Sequence, residues 1–150
     1  MYKKILVPLD GSELAEKALD HAEKLAETFD AEIILFQVVP LVHIYGAPEL
    51  VMPLIVDDKQ KEAAEGYLTN LAGKLKKRGL RVTAKLKIDM HVAAEIIDFA
   101  KESGADLIVM CTHGRSGITR WVLGSVAHKV LIGAEIPILL VHLKKITASA

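Results

Sequence analysis

The sequence predicts an α/β fold, a parallel sheet of five strands with helices on both of its faces. Three observations carry that expectation. Short apolar runs rich in β-branched residues recur five times along the 150 residues. Stretches with apolar residues at helical spacing separate them. Glycine, proline or a capping residue punctuates the junctions. Alternation of this kind implies right-handed crossovers, which lay helices against both faces of a parallel sheet.

A length of 150 residues suits one domain, 1–150, able to bury a substantial core without staples. Hydrophobic residues make up 51% and aromatics only 5%, so the core is expected to be aliphatic and alanine-rich. Nineteen basic residues balance nineteen acidic ones, which argues against a nucleic-acid partner. The single cysteine, Cys111, excludes a disulfide within the chain and suits a reducing compartment. The apolar run in MYKKILVPLDGS is too short for a signal peptide, and no stretch approaches a membrane span. A soluble cytoplasmic protein without a membrane partner is expected.

Residues 5–9 follow Lys3 and Lys4 as a buried strand, ended by Asp10-Gly11-Ser12. Asp10 or Ser12 caps the next helix, which sets Ala15, Ala18, Leu19, Ala22, Leu25, Ala26 and Phe29 at helical spacing. Residues 31–39, AEIILFQVV, form the second strand. Residues 40–56 hold Pro40, Pro48, Pro53 and Gly46 among Leu, Val, Ile and Met. A connection this long and apolar is expected to cover a pocket or a partner. The second helix, 57–78, carries Ala64, Leu68, Leu71 and Leu75 on one stripe and basic residues at its negative end, closed by Gly79. RVTAKLKI at 81–88 alternates, as a strand wetted on one face at a sheet edge does. The third helix, 91–103, turns Ala93, Ile96, Ile97 and Ala100 inward and stops at Gly104. A fourth helix runs from Gly124-Ser125 to Ile132, and Pro137 opens the last strand, 137–143.

The stretch 106–130 organises the rest. Leu107, Ile108, Val109 and Met110 form a buried strand, a polar loop with Gly114 and Gly117 follows, and a helix then starts. Glycine lets backbone approach a phosphate, and the unpaired N–H groups of a helix start point at it. Ligands of such sheets sit at the carboxyl ends of the strands, where the strand order reverses. Those ends supply Asp10, Val38, Asp89 and the 111–117 loop. The loop is neither a Walker A motif nor GxGxxG. Arg115 and Arg120 lie within the loop, either to reach a phosphate or as solvated loop arginines, and a ring hydrogen bond of His113 is expected to orient the loop. Trp121 is expected to anchor the loop to the core, and Cys111 to be a packed thiol. No histidines have metal-ligand spacing on one helix, so no dedicated metal site is expected.

THGRSG, nine residues from Gly114 to GSVAHKVL, then an apolar strand after Ile136-Pro137, resembles the universal stress protein family. ILVPLDGSELAEKAL at the start is similar to that family's opening, so the resemblance covers nearly the whole chain. It implies a Rossmann-like, adenine-nucleotide-binding sheet of strand order 3-2-1-4-5, dimerisation, and a role in stress response. One subgroup of the family binds ATP through Gly-x-x-Gly, nine residues, Gly-[Ser/Thr]; another lacks the motif. By position Gly114 is the second motif glycine, and Gly124-Ser125 completes the motif. The resemblance implies that Asp10, with Pro8 beside it, binds the ribose and that Val38 and Met110 flank the adenine. Gly114, Gly124, Ser125 and Val126 would cradle the phosphates, with Cys111, His113 and Arg115 completing the site. The cofactor would be ATP, or ADP or AMP, with Mg2+ held mainly by phosphate oxygens and water. Hydrolysis would be slow or absent, because the loop offers no evident catalytic base.

The sequence departs from the family pattern twice. Cys111 stands at the first motif glycine, and Met90-His91-Val92 replaces a Gly-x-Pro. If position 111 needs a positive φ, that change costs on the order of 1 kcal/mol. Two other readings follow from the residues. In one, Cys111 and Met90 close the pocket and the chain is an interaction protein. In the other, Asp10, Asp89, Thr112 and Lys144 form a phosphoacceptor site of a receiver domain. A dinucleotide oxidoreductase is disfavoured, because the first turn lacks the glycine fingerprint. The last strand, 137–143, is apolar on both faces, and pairing with its copy in a homodimer is the expected cover.

Overall fold

The computed structural model of the chain describes residues 1–41, 57–114 and 122–143. The elements are β1 (Lys4–Leu9), α1 (Glu13–Phe29), β2 (Glu32–Pro40), α2 (Asp58–Lys77), β3 (Arg81–Asp89), α3 (Val92–Ser103), β4 (Leu107–Cys111), α4 (Ser125–Gly133) and β5 (Ile138–Val141). The strands form one five-stranded sheet in the order β3-β2-β1-β4-β5, and all its pairings are parallel. Strand order, parallelism and element order agree with expectation.

Handedness explains where the helices lie. The chain moves from β1 through β2 to β3 in one direction, and right-handed crossovers put α1 and α2 on the same face. There Ala15, Ala18, Leu19, Leu68 and Leu75 pack on Ile5, Val7, Ile33 and Leu35. The chain then returns to the far side of β1, so α3 and α4 must lie on the opposite face. Ala93, Ile96, Ala127 and Val130 pack there on Leu6, Ile34, Phe36 and Ile108. Ile5, Leu6, Val7, Ile108 and Val109 are buried completely, each contributing about 1.5–3 kcal/mol through removal from water. β1 and β4 are neighbours whose following helices leave to opposite faces, and a crevice opens between them at their carboxyl ends.

Several side-chain expectations need correction. Ala72, not Leu71, completes the fully buried stripe of α2. Ile97 of α3 is only partly covered. On the edge strand β3 only Val82 is buried and Ala84 is exposed, because a strand with a neighbour on one side overhangs its covering helix. β5 is also an edge and holds four residues, fewer than the span 137–143. Residues 42–56, 115–121 and 144–150 lie outside the described residues. With them lie the expectations for most of the 40–56 connection, for Arg115, Arg120 and Trp121, and for Lys144.

Candidate functional site

The crevice is built from two turns. In the first, Asp10 follows β1, and Gly11 adopts φ +84°, a left-handed conformation that glycine takes without steric cost. That turn brings Ser12 back onto Asp10. Asp10 Oδ1 accepts from Ser12 N at 2.9 Å and from Ser12 Oγ at 2.5 Å. Ser12 Oγ in turn accepts from Ala15 N at 3.2 Å and caps α1. The carboxylate is thereby held at the rim of the sheet.

In the second turn, β4 runs into Thr112, His113 and Gly114. A β-carbon placed on Gly114 would sit 2.0 Å from Asp10 Oδ2, so only glycine brings the loop this close to the carboxylate. At the far end of the loop Gly124 N donates to Thr112 O at 2.9 Å. A β-carbon on Gly124 would lie 2.6 Å from that same oxygen. His113 is buried, and its Nε2 bonds the carbonyl of Val122 across the neck of the loop. Because a carbonyl only accepts, Nε2 carries the proton, and Nδ1 accepts from the Thr112 hydroxyl at 3.1 Å. The expected ring hydrogen bond of His113 is therefore present.

α4 starts at this neck with Gly124 as its N-cap and no side-chain cap. The first N–H groups of Ser125, Val126 and Ala127 precede the helical ladder, which opens with His128 N to Gly124 O at 2.9 Å. These three residues line the hollow that Pro8, Asp10, Met110, Cys111, His113 and Gly114 also line, with a volume of about 280 Å³. A helix start with open donors and its dipole directed at a cavity favours an anion.

A second hollow of about 470 Å³ adjoins the first and shares Leu9, Asp10, Val92 and Val126 with it. Val38 lies here with Gln37, Val39 and Pro40 of β2 and Gln60, Ala64 and Tyr67 of α2. Tyr67 hydroxyl donates to Glu16 at 2.8 Å and ties α2 to α1. Burial, then the Glu16 carboxylate, pushes the Tyr67 phenol well above its ordinary range. The contribution of α2 was not foreseen. Nothing in its amphipathic stripe marks Gln60 or Tyr67, since their place over β2 depends on how the helix docks.

The two departures from the family pattern are accommodated. Asp30 is the one non-glycine residue with positive φ among the described residues, so Cys111 needs no glycine-like backbone. Its Sγ donates to Leu14 O at 3.0 Å and is directed at α1. Burial pushes this thiol up to about 11, the carboxylates of Asp10 and Asp20 add to it, and the backbone at Ala18 works the other way. A thiol kept protonated is neither a nucleophile nor a metal ligand. Met90 is 42% exposed and lines neither hollow. The idea that Cys111 and Met90 fill the site therefore loses its basis.

Asp89 is a correction. It ends the edge strand β3, with β2 between it and β1, and its Oδ1 accepts from His91 N at 2.8 Å. It lines neither hollow. A receiver site needs the strand bearing its acceptor beside β1, and the order β3-β2-β1-β4-β5 removes it. Among the described residues no group of three His, Cys, Asp or Glu side chains could hold a metal ion. Among them, too, no helix is long and apolar enough to cross a membrane.

The universal stress protein family model matches residues 1–142. Universal stress protein MJ0531 of Methanocaldococcus jannaschii is 34% identical over 145 residues, covering 97% of this chain and 85% of that protein. The solved structure of the hypothetical protein MJ0577 from the same organism superposes with a TM-score of 0.80 at 29% identity, covering 97% of this chain and 99% of that one. The universal stress protein from Archaeoglobus fulgidus in complex with dAMP shares the fold, with a TM-score of 0.67 at 24% identity over 93% of this chain and 97% of that one.

Proposed function

The chain belongs to the universal stress protein family, and on that footing we propose that it is a regulatory protein that binds an adenine nucleotide, ATP first, across the carboxyl ends of β1 and β4. The observation that carries the reading is the convergence on one hollow of the Asp10 carboxylate and the uncapped start of α4. A carboxylate accepts from sugar hydroxyls, and the amides of Ser125 and Val126 with the Ser125 hydroxyl donate to phosphates. Gly114 and Gly124 keep that space free of side chains. Arg115 follows Gly114 in sequence and is counted with the phosphate ligands. Val38 and Met110 supply apolar walls, and Mg2+ arrives with the phosphates, held by their oxygens and water.

The reading is a binding module with at most slow hydrolysis. Of the titratable groups in the first hollow, Asp10 is engaged by Ser12 and Cys111 stays protonated. His113 has both ring nitrogens in use. Among the described residues of that hollow none is left to activate water. A reduced buried thiol fits the cytoplasm. Titration calorimetry with ATP and magnesium tests the proposal, with Gly124→Asp as the control. No heat at millimolar nucleotide would falsify it.

The assembly proposed is a homodimer through β5. This edge strand leaves Leu139 36% exposed, and an unpaired apolar edge favours its own copy. Light scattering at micromolar concentration should give twice the chain mass; a monomer contradicts the pairing.

A further inference from the structure

The two hollows meet at Asp10, and a nucleotide has the covalent order phosphate, sugar, base. With phosphates on the start of α4 and the sugar on Asp10, the base lies on the other side of Asp10, in the second hollow. Its walls there are aliphatic, from Val38, Val39, Pro40 and Ala64. Gln37 of β2 lines this hollow too, beside Leu9 in the β1–β2 register and hence one strand across from Asp10. It is 5% exposed, and its Oε1 is buried without a hydrogen-bond partner among the described residues. A buried acceptor left unsatisfied is costly, and native cores seldom retain one without a purpose.

We infer that Gln37 is a specificity-determining residue at the wall of the second hollow, whose buried amide carbonyl turns to accept from the exocyclic amine of a 6-amino purine; this rests on the nucleotide reading above. The chemistry selects among bases. The 6-amino group of adenine donates to Oε1, whereas the 6-oxo group of hypoxanthine or guanine sets one acceptor against another. An amide reads a neutral heterocycle without placing a charge in the core. An amide that turned over would offer its NH2 to a 6-oxo purine instead, and the preference for the 6-amino base would vanish or invert.

The test compares ATP, inosine triphosphate and N6,N6-dimethyl-ATP by titration calorimetry on the full chain, wild type and Gln37→Leu. The wild type should bind ATP about tenfold or more tighter than either analogue, because each leaves the buried carbonyl unpaired. Gln37→Leu should bring the ATP-to-inosine ratio to about threefold or less by weakening ATP, not by strengthening the analogue. The wild-type series with dimethylated base reads the same contact without a substitution, so it stands even if Gln37→Leu folds poorly. A wild-type ratio near one, or a Gln37→Leu protein that keeps the full ratio, overturns the role of Gln37 and leaves nucleotide binding intact. Absence of binding by all three nucleotides overturns both readings.

Discussion

Two of the helices that start at the crevice, α1 and α4, treat their first turns in opposite ways. α1 is closed by its own sequence: Ser12 caps it, Asp10 holds Ser12, and Glu13 and Glu16 already meet the positive end of its dipole. α4 has a glycine at its N-cap, no side-chain cap and no acidic residue in its first turn. The donors are equivalent as chemistry, yet of these two starts only that of α4 leaves its donors without a side-chain cap. In this fold the proposed anion site is made by withholding a cap, while the capped helix beside it holds the carboxylate in place.

The sharpest way to break the contrast is to give α4 the acid that α1 has. In Gly124→Asp a β-carbon collides with Thr112 O, and a carboxylate stands where phosphate would bind. We expect ATP affinity to fall about a hundredfold or more by calorimetry. A variant that still binds ATP normally removes α4 from the site.

The next effect comes from the contact between the two turns. Gly114→Ala drives a β-carbon to 2.0 Å from Asp10 Oδ2 and should destabilise the fold by about 1–3 kcal/mol in urea melts. Adding Asp10→Ala removes the atom struck, so the double variant should recover part of that loss. Strict additivity would mean that the two turns do not touch in solution.

Ser12→Ala sharpens the comparison from the other side. Losing the cap of α1 should cost about 1 kcal/mol of stability, while ATP affinity falls by less than about tenfold, because the Ser12 amide still holds the Asp10 carboxylate. A large loss of affinity would show that the capped helix also contributes donors.

The smallest effect is a pH slope. The folded Cys111 thiol titrates at about 11 against an ordinary 9.0, so the native chain holds its proton over a range where the unfolded chain releases it. Its stabilisation is complete below pH 9.0 and fades as pH rises toward 11. Cys111→Ala should show a shallower loss of stability across that window. Tyr67→Phe is the companion, since Tyr67 is shifted in the same direction.

Much of the site was legible because its parts are local in the chain. A carboxylate after a buried strand, and glycines before an uncapped helix, are patterns of neighbours, so Asp10, Gly114, Gly124 and Ser125 could be read directly. Asp89 was misplaced by the same logic. It too follows a strand, but whether that strand lies beside β1 or at the edge is not a local property. Cys111 and Met90 looked obstructive because side-chain size is visible in a sequence and direction is not. One thiol turned to the carbonyl of Leu14 makes a wall, not a plug.

The alternation of apolar runs and amphipathic stretches was sufficient for five parallel strands and two covered faces, since burial and handedness leave few other arrangements. The tertiary structure alone set Gly114 against Asp10 and brought α2 over β2, giving Gln37 and Tyr67 a place in the crevice. Contacts between residues far apart in the chain depend on how whole elements dock. No single stretch of sequence records the partner that packing will bring to it.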